Sequence, residues 1–143
     1  MKRYIYLLLI VACAALPGCS QGTPITGEEQ KKVLEYAEPV ADNLLAGFNE
    51  GDYAIYARDF DEMMKNGLPE NVFRQTRDMI LGKIGKYKSR TLDKIVKKDQ
   101  FIAVIYNAEF EKESGVSVKV VFAKYTDRNL VSGLWFNSPK LRQ

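Results

Sequence analysis

The hydrophobic pattern of this chain changes period once, near Lys86. Before that point apolar residues recur at three- and four-residue spacing, and after it they alternate. Helices and strands are therefore segregated rather than interleaved, which leaves nothing to form the crossovers of a parallel sheet. The pattern predicts an α+β domain, with N-terminal helices packed on one face of a four-stranded antiparallel sheet.

The helical half carries its own punctuation. Thr26-Gly27-Glu28-Glu29 has the spacing of a capping box, so a helix should start there. Its apolar stripe runs through Val33, Leu34, Tyr36, Ala37, Val40, Ala41, Leu44, Leu45 and Phe48. Pro39 should bend or interrupt it. Asn49-Glu50-Gly51 should end it, with Asp52 capping a second helix from Tyr53 through Met64 to Asn66-Gly67. Pro69 opens a third, closed by Gly82 or Gly85.

Strands are expected near residues 86–97, 100–112, 116–126 and 129–137. A three-residue turn at Glu113-Ser114-Gly115, with Gly115 left-handed, would set Phe110 opposite Val118, Ala108 opposite Val120 and Tyr106 opposite Phe122, with Glu109 beside Lys119 on the other surface. The first hairpin allows two registers. A two-residue turn at Lys98-Asp99 puts Ile95 on the apolar face together with Asp93, Thr91, Ser89 and Tyr87. A three-residue turn puts Val96 and Leu92 there with Lys94. In both a polar group enters the apolar surface, marking this strand as an edge or a cavity wall.

Residues 1–18 read as an export signal rather than as part of the fold. Lys2 and Arg3 precede an uncharged run from Tyr4 to Leu16, too short for the roughly 20 apolar residues of a spanning helix. The segment ends in Leu16-Pro17-Gly18-Cys19, which resembles a bacterial lipoprotein processing box. Cleavage before Cys19 would leave a thiol that carries a diacylglycerol, and residues 19–25 would form a lipidated tether to a single domain over 26–138. The expected location is outside the cytoplasm, with the lipid on Cys19 in the outer face of the cytoplasmic membrane or in the outer membrane.

Charge is unevenly spread. Residues 20–82 hold 6 basic and 12 acidic side chains, and residues 83–143 hold 13 and 6. Two halves of one domain that attract each other explain this, as does a basic face for an anionic partner or lipid headgroup. The run Lys83, Lys86, Lys88, Arg90, Lys94, Lys97 and Lys98 suits an edge strand protected from sheet-to-sheet pairing better than a nucleic-acid strip. The chain has no histidine, so neither a serine–histidine dyad nor an imidazole metal site is available. No cofactor and no metal site is expected, and Asp59, Asp61 and Glu62 read as a solvated helix face.

Several stretches carry a resemblance: Phe48-Asn49-Glu50-Gly51-Asp52-Tyr53, Phe60-Asp61-Glu62-Met63-Met64, Leu68-Pro69-Glu70 and Gly85-Lys86-Tyr87. Together they resemble the nuclear-transport-factor-like (cystatin-like) α+β fold, and within it an uncharacterised domain-of-unknown-function family of exported lipoproteins. The resemblance covers roughly residues 30–137 and implies a strongly curved, cone-like sheet wrapped around the helices, open at one end to a ligand. It brings no catalytic residues.

The expected function is a non-catalytic, lipid-anchored binding module that holds a small apolar or amphipathic ligand, or a peptide, in the cone. Tyr56, Tyr87, Asp93, Tyr106 and Trp135 are the candidate ligand-binding residues, with Phe122 as either lining or core. One alternative is an interaction domain without a small ligand, forming a homodimer through the outer face of its sheet. The other is a cofactor-free proton-transfer enzyme, centred on Asp93 with Tyr106 or Tyr87 as donor.

Overall fold

A computed structural model describes residues 21–124 and 128–143. The expected export segment and Cys19 lie outside the described residues, as does the end of the third expected strand. Four helices, α1 (Gly27–Glu50), α2 (Tyr53–Tyr56), α3 (Glu62–Gly67) and α4 (Glu70–Ile84), precede the main strands β2 (Tyr87–Lys98), β3 (Phe101–Phe110), β4 (Glu113–Ala123) and β5 (Val131–Asn137). The α+β architecture thus stands, with one addition: β1 (Thr23–Pro24) pairs antiparallel with β2, giving five strands in the order β1-β2-β3-β4-β5 instead of four. Residues assigned to the tether are therefore docked on the sheet, and Ile25, which donates to the Ile95 carbonyl at 2.9 Å, is buried.

Helix α1 starts after Thr26, although the Thr26 side chain makes no capping bond, and it ends on Gly51 in the left-handed conformation (φ 71°). Pro39 does not interrupt it. The loss of one backbone bond is outweighed by Ala37, Val40 and Ala41, which bury the helix on the sheet on both sides of the proline. The guanidinium of Arg77 on α4 donates to the Phe48 and Asn49 carbonyls at 2.5 and 2.7 Å, adding at Phe48 to a long 3.4 Å bond from Gly51 N–H and reinforcing the end of α1.

The expected second helix is broken into α2 and α3. Between them the chain runs beside β5: Phe60 bridges Val131, Asp61 N–H donates to the Val131 carbonyl at 3.0 Å, and Val131 N–H donates to the Asp59 carbonyl at 2.7 Å. Burial of Phe60 and these strand-type bonds outweigh the helical spacing of the segment. Asp52 and Asp61 cap the two pieces, accepting from Ile55 N–H at 3.1 Å and Met64 N–H at 2.8 Å. Asp61 is thus a buried cap rather than part of a solvated acidic face.

In the sheet, residues facing the helices form the core: Ile95, Ile102, Val104, Tyr106, Ala108, Phe110, Val116, Val118, Val120 and Phe122 are buried. Both expected hairpin geometries need correction. The β3–β4 connection turns at residues 111–112, so Tyr106 faces Val118 rather than Phe122, and Lys119 lies opposite Ile105 rather than Glu109. The slip is even, so every side chain keeps its expected face. Gly115 is left-handed (φ 69°), but within β4 near an irregularity of the ladder rather than at the apex of the turn.

The β2–β3 connection is a two-residue turn at Asp99-Gln100, and a bulge between Leu92 and Lys94 switches the facing of β2 partway. Ile95 and Tyr87 face inward, as one expected register had them, but its Asp93, Thr91 and Ser89 do not; Leu92 faces inward as in the other, whose Val96 and Lys94 lie outward, and Arg90 joins Leu92 on the inner side. The extra residue in the bulge makes the switch.

Candidate functional site

The five candidate residues separate into three places. Tyr56 lies in an aromatic cluster of the helical half, with its ring 4.3 Å from Phe73 and 5.2 Å from Phe60 between centroids. Burial, with Tyr53 adding to it, pushes its phenol well above the usual tyrosine range.

Tyr87 and Tyr106 meet at the inner face around Arg90. The guanidinium of Arg90 donates to the Tyr87 hydroxyl at 3.1 Å and to the Glu38 carboxylate at 2.7 Å, and pairs with Asp42 at 2.7 Å. It also lies over the Tyr106 ring, 4.9 Å from the centroid. Burial works against the Arg90 charge, but the hydrogen bonds to Tyr87 and Asp42 and the field of Glu38 outweigh it and hold the guanidinium protonated. Tyr106 is 1% exposed, and its hydroxyl, near Glu38 and Arg90, makes no well-formed hydrogen bond. Burial pushes this phenol up, with Glu38 adding to the effect and Arg90 opposing it. Asn49 fixes the strand here: its amide donates to the Tyr87 carbonyl at 2.7 Å and its carbonyl accepts from Tyr87 N–H at 2.9 Å. Arg90, read in the sequence as one of a row of edge-strand cations, is instead the link between the acidic helices and the basic sheet.

Among the described residues this inner region is packed with side chains. Phe48 stacks near Phe110 and Phe136 at 6.3 and 5.4 Å, and Tyr36 meets Phe122 edge-on at 5.1 Å. A recess of about 310 Å³ opens where α1 meets the ends of β3 and β4; Phe122, otherwise core, is at its edge together with Tyr36, and none of the five candidates lines it.

Asp93 and Trp135 lie on the opposite face of the sheet. The bulge turns Asp93 outward, so it joins neither Tyr106 nor Tyr87, and the acid–phenol pair needed for proton transfer is not assembled. Instead Asp93 and Trp135 border a groove of about 500 Å³ with Lys94, Ile105, Lys119 and Asn137. Lys94, Ile105, Lys119 and Trp135 continue into a larger groove of about 780 Å³. The apolar lining of the larger groove is Val96, Phe101, Ala103, Ile105, Val121 and Trp135, and its cations are Lys94, Lys98 and Lys119, with Asp99 as the one carboxylate among the described residues. Trp135 is 52% exposed and Phe101 42%. The Lys119 ammonium sits 4.5 Å from the centre of the indole. Gln21, Gly22 and Pro24 close one end.

The sequence placed Trp135 in the lining of the cone and offered the outer face only as a surface for self-association, not as the place of Trp135 or of a groove. Its signal was alternation in which both sides of β3 are apolar: Phe101, Ala103 and Ile105 outward, Ile102, Val104 and Tyr106 inward. Among the described residues no three Cys, Asp or Glu side chains come together as metal ligands, and no helix is long and apolar enough to cross a membrane.

Among solved structures, the chain is similar to the crystal structure of an NTF2-like protein of unknown function from Cytophaga hutchinsonii ATCC 33406, at 8% identity, covering 74% of this chain and 94% of that one with a TM-score of 0.41. No curated protein matches it in sequence. Residues 41–131, from the middle of α1 to the start of β5, match a family model described as protein of unknown function (DUF3887). The match spans well over half of the chain, from the helices around Arg77 through the whole of β2, β3 and β4, and the chain belongs to this family of proteins of unknown function.

Proposed function

We propose that this chain is an exported, non-catalytic binding module, anchored by lipid on Cys19, whose recognition surface is the outer-face groove rather than the interior of the cone. The observation that carries this reading is the contrast between the two faces. The inner face is filled by its own aromatics, whereas the outer face offers about 780 Å³ with an apolar floor, two exposed aromatics and three lysines. That volume is of the size that holds a small ligand. The chemistry suits an amphipathic molecule: an apolar body along Val96, Ala103, Ile105 and Val121, and an anionic head among Lys94, Lys98 and Lys119.

Self-association through the same face is favoured by the exposure of Phe101 and Trp135. It is opposed by charge, because a two-fold axis on this surface would bring three lysines and one aspartate against the same set.

The test is native mass spectrometry of the protein purified from membranes of its producing host. The expected species is a monomer that begins at Cys19, carries acyl mass, and retains an anionic amphipath that is lost on Lys119→Glu. A cytosolic product that retains Met1 without acyl mass would sink the anchoring. A ligand-free dimer would sink the binding reading in favour of self-association.

A further inference from the structure

The groove and the expected point of attachment are neighbours. With Thr23 and Pro24 paired to β2 and Ile25 buried, the tether is not a seven-residue leash; it is fixed to the sheet from residue 23 onward. Gly22 (φ 83°) lies so close to Lys97 that an added Cβ would come within 2.9 Å of its carbonyl oxygen, which sets the chain flush against β2 at the end of the groove. The two peptide steps from Cys19 to Gln21 span at most about 7 Å. Acyl chains on Cys19 therefore hold a bilayer surface within that reach, plus the length of the cysteine side chain and its glycerol, of Gln21, which itself lines the groove.

The surface held there matches what a phospholipid interface accepts. Trp135 and Phe101 project from an apolar sheet face, and indole is the side chain that best tolerates the boundary between headgroups and acyl chains. Lys94, Lys98 and Lys119 stand around them, with Asp99 and, in the adjoining groove, Asp93 as the opposing charges among the described residues, and lysine stems lie along apolar surface while their ammonium groups reach outward.

We propose that the amphipathic, anionic partner of the groove is the membrane that carries the anchor. The outer sheet face lies on an anionic phospholipid surface, with Trp135 and Phe101 in the headgroup boundary and the three lysines on the phosphates. Lipid on Cys19 alone would leave the domain free to tumble above the bilayer; this face gives it one orientation, with the helices directed away from the membrane. The inference rests on the anchoring proposed above.

Trp135 is the only tryptophan in the chain, so its fluorescence reports this face alone. The mature protein, extracted from membranes, is reconstituted into vesicles of phosphatidylcholine alone or mixed with phosphatidylglycerol, with brominated acyl chains as quencher. In the anionic vesicles the emission should shift to the blue and be quenched, by at least about twofold relative to phosphatidylcholine alone, an advantage that disappears near 1 M salt, where the screening length falls to about 3 Å. Lys94→Glu/Lys98→Glu/Lys119→Glu should abolish it while the circular dichroism spectrum and melting temperature are retained. Trp135 that remains open to an aqueous quencher in anionic vesicles overturns the inference, as does quenching unchanged in the folded triple variant.

The mass at Cys19 reports the anchor separately. An unacylated chain overturns the anchoring reading, and the same chain added to anionic vesicles still decides the surface: lysine-dependent quenching of Trp135 upholds it, and its absence overturns it.

Discussion

The indole of Trp135 lies on Gly133, two residues earlier in the same strand, so closely that a Cβ at position 133 would collide with the ring. Glycine is required here by close approach, because the ring reclines across the outer face toward the Lys119 ammonium instead of standing away from it. Gly133→Ala should lift the indole off the sheet. The expected outcome is a red-shifted Trp135 emission and weaker amphiphile binding in a fluorescence titration, with stability changed by less than about 1 kcal/mol because the displaced group is the free end of a half-exposed side chain.

Arg90 and Asp42 form one ion pair, yet they should respond very differently to substitution. The Arg90 side chain is 9% exposed and holds Glu38, Asp42 and Tyr87 at once, whereas the Asp42 carboxylate is 70% exposed. Arg90→Leu should cost about 2–3 kcal/mol, at or below the low end for breaking a buried pair because both carboxylates remain in contact with water. Asp42→Asn should cost less than about 1 kcal/mol. Urea unfolding of the two variants side by side measures the difference. Equal costs would mean that the pair acts as a surface bridge.

Two buried phenols set an alkaline limit on stability. Tyr56 and Tyr106 have pKa values raised above the usual tyrosine value of 10.0, chiefly by burial. Between that value and the higher folded one, the native state binds more protons than the unfolded chain, so stability falls as pH rises. The stabilising contribution is intact below pH 10 and diminishes above it, at up to about 1.4 kcal/mol per pH unit for each tyrosine. Denaturant midpoints at successive pH values should show no loss from these groups at neutral pH, a decline above pH 10, and a shallower decline in Tyr106→Phe. At neutral pH Tyr106→Phe should be close to neutral, because the hydroxyl it removes has no well-formed hydrogen bond and the ring under Arg90 is kept.

Gly47 is where α1 meets α2 most closely: a Cβ there would come within 2.7 Å of the Tyr56 Cα, and backbone cannot yield as a side chain can. Gly47→Ala should destabilise the domain by about 1–3 kcal/mol, despite the better helix propensity of alanine. A melting temperature that rises with this change would show that the two helices are free to separate.

Much of the architecture was readable along the chain because it depends on near neighbours. The left-handed Gly51, the Asp52 cap and the change to two-residue alternation after Lys86 are local features, and each appears in the fold at its expected residue. The interruption between α2 and α3 was not readable. Residues 57–61 have helical spacing, and only pairing with Val131, some seventy positions later, takes the chain through a turn at 57–59 and out of the helix at Phe60. The place of Asp93 was hidden for a similar reason. Neither expected register of β2 occurs; each gave the facing of only some of its residues, because the bulge that changes the facing is set by how β2 meets β3 and α1, not by its own residue order.

By itself, the sequence determined the succession of a helical half and a four-strand meander, which residues of β3 and β4 face the helices, and the division of charge into an acidic helical half and a basic sheet half. Each of these depends on spacing or composition within one segment, and spacing is preserved however the segments are later arranged. Only the tertiary structure decided that the cone is filled, that Arg90 joins the two halves, and that Trp135, Lys94, Lys98 and Lys119 share one open groove beside residue 21. These outcomes depend on side chains brought together from distant segments, where packing volume and the unpaired charge of each partner decide which contacts can be made.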